Sequence, residues 1–128
     1  MQGARFTVTG HAVADPWVHF APVDGLAVAK IRIGATPTYR DRHGAWRNAT
    51  SVFLTITCFG QLAENVAETV LRATHVSATG RIRSTTWTDQ DGTQRWGHDY
   101  VADQFAASLG HGIATVRALS PEQLCASA

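Results

Sequence analysis

SVFLTITCFGQLAENVAETVLR, residues 51–72, changes its hydrophobic period in the middle. Val52, Leu54, Ile56 and Cys58 alternate with Ser51, Phe53, Thr55, Thr57 and Phe59, the period of two of a strand with one apolar face. From Gln61 to Arg72 the period becomes helical. Leu62, Val66 and Val70, with Ala63 and Ala67, form one stripe, and Glu68 is spaced to pair with Arg72. A strand thus runs directly into a single helix, and Phe53 and Phe59 stand among hydroxyls on the face turned away from the core.

Before this stretch, Arg5 to Ala14 alternates loosely and passes through Gly10, where a bulge or sharp bend fits. Asp15-Pro16 marks a turn, after which Trp17 to Phe20 either continues the strand or forms a short arm. Leu26 to Gly34 is a clean strand, with Ala27, Ala29, Ile31 and Ile33 on one side and Val28, Lys30 and Arg32 on the other. Thr36 to Ala49 reads as a long polar loop with its tip at His43-Gly44.

After the helix, Val76, Ala78, Gly80 and Ile82 alternate with Ser77, Thr79, Arg81 and Arg83. The same phase carried through Thr85 places Trp87 on the arginine face. Asp91-Gly92 signals a hairpin turn, and Trp96 marks the returning arm, with His98 to Leu109 as the last strand. The order is three strands, a helix and two strands. That predicts an all-β fold: a five-stranded Greek-key barrel of the oligonucleotide-binding (OB) type, with one helix between strands 3 and 4. Residues 1–110 form the expected domain, and 111–128 a C-terminal extension in which Ile113 to Val116 suits a short strand and Ser120-Pro121-Glu122 a helix start. No internal repeat stands out.

Apolar residues at 45% and charged residues at 16% suit one globular domain, and a net charge of +1 provides no global basic field. The distribution says more. Lys30, Arg32, Arg40, Arg42 and Arg47 fall between residues 28 and 47 with Asp41 as the one carboxylate there. Ten of the eleven basic residues are arginine, the better phosphate donor and ring-stacking cation, although a GC-rich genome yields the same bias. Met1 leads straight into the first strand without a signal peptide, and no apolar run approaches the roughly 18 residues that span a bilayer. Cys58 and Cys125 form no C-x-x-C pair, and a buried Cys58 thiol in a reducing, cytoplasmic, nucleoid-associated protein is expected.

Val8-Thr9-Gly10-His11, Asp15-Pro16, Ala27-Val28-Ala29, Cys58 to Val66, Gly80 to Arg83 and Trp87 to Gly92 together resemble the bacterial single-stranded DNA-binding proteins over roughly residues 5–109. The resemblance implies an OB fold assembled as a homotetramer, with single-stranded DNA wrapped over basic grooves and its bases stacked on aromatics. Position by position, the stacking aromatics fall on Tyr39, Phe53, Phe59 and Trp87, with Tyr39 and Phe53 standing where well-known members carry tryptophan. Leu54 replaces a histidine that helps hold the subunit interface in many members. The family's acidic, phenylalanine-tipped tail has no counterpart in Leu124 to Ala128, so recruitment of partners through such a tail is not expected.

The expected DNA-binding set is Lys30, Arg32, Tyr39, Arg40, Arg42, Trp46, Arg47, Phe53, Phe59, Arg81, Arg83, Trp87, Arg95 and Trp96. Rings stack on any base and cations meet any phosphate, so no sequence preference follows. Trp46 and Trp96, beside Arg47 and Arg95, suit stacking and packing about equally, and Trp17 reads as structural. The same face would also serve RNA, and an OB module for protein partners is the remaining alternative. Catalysis finds no support: G-x-S-x-G, the P-loop and H-E-x-x-H are absent from the sequence. Its six histidines lack metal-ligand spacing, and no cofactor is expected.

Overall fold

A computed structural model describes residues 3–36 and 38–119, with Tyr39 described by its backbone alone. The elements in chain order are β1 (Arg5–Ala12), β2 (Trp17–Phe20), β3 (Ala27–Ala35), β4 (Thr38–Arg40), β5 (Trp46–Asn48), β6 (Val52–Phe59), α1 (Gly60–Thr69), β7 (His75–Thr88) and β8 (Gln94–Ala107). The sheet runs β1-β7-β8-β6-β3, and β1 pairs with β3 to close the ring. These five strands and the helix between β6 and β7 are the OB barrel expected from the period changes. All neighbours in the ring are antiparallel except β6 and β8, which run parallel through Ile56↔Tyr100 and Thr57↔Val101.

Closure depends on one strand serving two partners. β1 pairs with β7 from Arg5↔Arg81 to His11↔His75, then meets β3 at His11↔Gly34 and Ala12↔Ile33. Gly10 stands at this crossing, and a Cβ there would lie 2.2 Å from the Gly34 carbonyl oxygen. Only a residue without a side chain lets the strands cross this closely. A register shift between Thr79 and Gly80, where Thr79 faces Gln104 but Gly80 faces Ala102, leaves Asp103 as the extra residue of a bulge that bends the hairpin around the barrel.

Ile31, Ile33, Ile56, Cys58 and Val76 fill the barrel, and α1 packs against β3, β6 and β8 with Ala63 and Val66 buried. Burial pushes the Cys58 thiol up to about 12, so it behaves as a small apolar side chain. The expected Glu68–Arg72 pair does not form. The helix ends at Thr69, the Arg72 backbone N–H donates to Asp15 Oδ1 at 2.8 Å, and Glu68 faces Arg117 at 3.8 Å.

Short elements differ from the sequence reading. Trp17–Phe20 is a separate edge strand on β3, and the polar loop of residues 36–49 contains a two-stranded ribbon of β4 and β5. Strands of three or four residues are too short to show a period. Ile113 to Val116 belong to no strand, since regular structure ends at Ala107 among the described residues. The helix start at Ser120-Pro121-Glu122, Cys125 and the chain end lie outside the described residues.

Beyond β8 the His111 ring stacks on His75 at 3.9 Å, with His11 5.8 Å from His75. Desolvation, then the neighbouring His111 and His11 imidazoles, push His75 below its ordinary 6.5. The folded state therefore binds this proton less readily than the unfolded chain. The associated stability is complete above about pH 6.5 and falls as the pH drops through the interval down to the folded value. NMR titration should give His75 a midpoint below that of a free imidazole, and His111→Ala should raise it. Gly10→Ala should cost about 1–3 kcal/mol through overpacking and lower the thermal midpoint while wild-type chain melts normally.

Candidate nucleic-acid interface

Because the pleat alternates, the side chains that do not enter the barrel collect on its outer face. One row crosses five strands: Trp17 of β2 faces Lys30 of β3, which faces Thr57 of β6, which faces Val101 of β8, which faces Arg81 of β7. Thr57 and Val101 at its centre are buried and form a floor. The flanks carry the rings and the cations. On the neighbouring positions stand Arg32, Phe53 and Phe59, then Arg83 and Trp87 along β7.

Cations and rings are interleaved. The Lys30 ammonium lies 5.8 Å from the Trp17 ring centre, and the Arg32, Arg83 and Arg40 guanidiniums lie 5.2, 5.9 and 5.7 Å from Phe53, Phe59 and Trp46. Each cation meets the negative face of its ring. Phe53 and Trp87 are each 50% exposed and Trp17 58%. Two of these rings rest on glycine. A Cβ at Gly34 would come within 3.1 Å of Phe53, and one at Gly97 within 3.0 Å of Trp87. A side chain at either glycine would crowd the ring beside it, and each of the two residues keeps half of its surface open to solvent.

Among the described residues Lys30, Arg32, Arg40, Arg42 and Arg81 have no carboxylate within 4.0 Å. Arg47, Arg83 and Arg95 do, pairing with Asp41, Asp99 and Asp89 at 2.9 Å each. Exposed pairs of this kind contribute little to stability, and salt screens them. Asp41 and Asp89 have a further role, as both close hairpin turns. Asp41 Oδ1 accepts from the His43 and Ala45 backbone N–H groups, and Asp89 Oδ1 from those of Asp91 and Thr93. The arginine, first, and then these N–H groups hold both carboxyls below the usual carboxylate range.

The expected residues do not all converge. Trp96 faces Thr86, one step out of phase with the Trp87↔Arg95 pair, so it projects from the opposite side of the hairpin and is 72% exposed. Trp46 sits on the β4–β5 ribbon against Arg40, and the Tyr39 backbone lies opposite Arg47. The Tyr39 side chain lies outside the description.

Two contributors escape the sequence reading. Trp17, read as structural, belongs to the row across the barrel, and the signal that identifies it is its pairing with Lys30, which no local period reveals. Arg5 stands directly opposite Arg81 and, with Phe59, Val101 and Asp103, lines a cleft of about 340 Å³. Two like charges facing across a pair destabilise it, and Asp103 offsets one of them through a 2.8 Å contact with Arg5. No group of three or more histidine, cysteine or carboxylate side chains among the described residues is placed to hold a metal ion.

The profile of the Single-strand binding protein family matches residues 4–108. The chain belongs to this family. It is 39% identical over 111 residues to Single-stranded DNA-binding protein 2 of Streptomyces coelicolor, covering 86% of this chain and 55% of that relative. It is 36% identical over 114 residues to a single-stranded DNA-binding protein of Corynebacterium glutamicum, covering 88% and 50%. The chain thus spans about half the length of these two relatives. A crystal structure of a small single-stranded DNA-binding protein from Streptomyces coelicolor superposes with a TM-score of 0.70 at 24% identity, covering 88% of this chain and 100% of that one. A deletion mutant of the Thermus aquaticus single-stranded DNA binding protein superposes with a TM-score of 0.69 at 18% identity, covering 81% and 49%. Both show the same fold for this single-strand binding family member.

Gly97→Val should displace the Trp87 indole from its seat. With the other three tryptophans changed to phenylalanine, the emission maximum should shift while cooperative melting persists.

Proposed function

We propose that this chain binds single-stranded DNA without sequence preference, coating strands exposed in replication, repair, recombination or DNA uptake. The observation that carries the reading is the outer face described above, where exposed rings and cations flank the buried floor of Thr57 and Val101 on a row that crosses five strands. A ring seated on backbone offers its free face to any base, and a guanidinium meets any phosphate. Bidentate base readers are sparse on this face, Asn48 being the nearest. A duplex hides its base faces, so single strands are preferred. Stacking contributes about 1–3 kcal/mol per base, and an OB fold covers roughly 4–16 nucleotides.

The site residues are Lys30, Arg32, Tyr39, Arg40, Arg42, Trp46, Arg47, Phe53, Phe59, Arg81, Arg83, Trp87 and Arg95, to which Trp17 is added. Trp96, on the back of the hairpin, meets a strand that passes over the edge. The chain is a binding protein and not an enzyme. It acts as a homo-oligomer, most simply the tetramer implied by its resemblance, a reading supported by exposed apolar side chains such as Phe20, Val23 and Leu71. No helix among the described residues is long and apolar enough to cross a membrane. Coating of chromosomal strands would place the protein in the cytoplasm with the nucleoid.

The test is tryptophan fluorescence titrated with poly(dT), poly(rU) and duplex DNA at low and high salt. Quenching by poly(dT) and not by duplex is expected, with log affinity falling by about 0.7 per neutralised phosphate for each tenfold rise in salt. Trp87→Ala and Trp17→Ala should each weaken binding roughly 5- to 150-fold with the melting curve intact. A response to poly(rU) alone would assign the face to RNA, and no response to any polymer would end the proposal.

A further inference from the structure

The two hairpin tips follow one plan. In DRHGAWR (41–47) and DQDGTQR (89–95), aspartate, glycine and arginine occupy the same positions, and an aromatic residue, Tyr39 or Trp87, precedes each aspartate by two. This short repeat is absent from the sequence reading because its matching positions are so few. The backbones match as well. Tyr39 pairs with Arg47 and Trp87 with Arg95, and Gly44 and Gly92 take φ of 80° and 79°. Gly44 N–H donates to Asp41 O at 3.0 Å and Gly92 N–H to Asp89 O at 3.1 Å. One carboxylate oxygen closes each turn through two backbone N–H groups. The second accepts from the arginine Nε at 2.9 Å in both.

Turn closure needs only the first of these oxygens. The second is turned to an exposed arginine, in a ribbon of three-residue strands and in a hairpin of fourteen-residue strands alike. The carboxylates lie beneath, with side chains 17% and 23% exposed, and the arginines stand above at 61% and 57%. The Nε contact uses one of five guanidinium donors.

We propose that Asp41 and Asp89 are positioning residues for the nucleic acid: each fixes its arginine, Arg47 or Arg95, across the hairpin from the Tyr39 backbone or from Trp87, so that each tip holds a guanidinium ready for a phosphate, at the second tip beside the ring of Trp87. The inference rests on the function proposed above. A held guanidinium loses less freedom when it meets phosphate. The low proton affinity of both carboxyls keeps the contact intact at neutral pH.

Charge alone predicts the opposite effect, which makes the test sharp. Asp41→Asn and Asp89→Asn retain an oxygen for the turn but lose the acceptor for Nε, and they remove a negative charge from a surface facing a polyanion. If the carboxylates only repel phosphate, poly(dT) binding tightens. If they position arginine, it weakens, by roughly 3- to 10-fold for each variant, and the salt slope drops by up to about 0.7. Arg47→Gln and Arg95→Gln leave the turn acceptors in place and should lose a similar factor. Each Asp→Asn, Arg→Gln double variant should bind no worse than its arginine single variant. Should an asparagine variant melt early, the arginine variants decide, and binding equal to wild type overturns the proposal. Equal or tighter binding by well-folded asparagine variants overturns it too. Failure of the wild type to bind poly(dT) would instead remove the underlying function.

Discussion

β1 forms its ladder with β7, bends at Gly10, and then pairs with β3. The outer face depends on this double pairing. An open sheet of the same strands would have two edges and a shallow core. The closed ring has an inside, filled by Ile31, Ile33, Ile56 and Val76, and an outside onto which every alternate residue is forced. A slip of one residue anywhere in the ring would exchange the two sets. The approach of Gly10 to the Gly34 carbonyl is therefore a constraint on the position of Arg32, Phe53 and Arg81 as much as on the core.

On that outside, the chemistry is arranged by contact and not by total charge. With a net charge of +1, the chain has no strong field to draw in a polyanion from afar. Instead Trp17, Phe53, Phe59 and Trp87 each have a cation over the ring or a glycine against it, and Asp89 and Asp99 are paired with arginines. Rings held in this way would lose little freedom on the stacking proposed above.

Much of this was legible in the chain. The change of period at Phe59, the alternation of Leu26 to Gly34 and the phase from Val76 to Trp87 are long enough to fix element type, and with it the OB order. They also place Phe53, Arg32, Arg81 and Trp87 on the outer side. Short elements were not legible, because the four residues of β2 and three each of β4 and β5 carry no usable period. The separation of Trp96 from Trp87 depends on a register that spans the hairpin, and the arginine partners Asp89 and Asp99 are likewise matters of pairing across strands.

The sequence by itself determined the five long strands of the barrel, where the helix falls and which side chains share a face along each of those strands, since these follow from local periods of two and 3.6. The tertiary structure alone decided which strands lie side by side. That put Trp17 against Lys30, set Phe53 and Trp87 on Gly34 and Gly97, and brought Arg5 opposite Arg81. Such neighbours are separated in the chain and are brought together by the pairing of strands. No local pattern encodes a contact whose partner is chosen by the closure of the barrel.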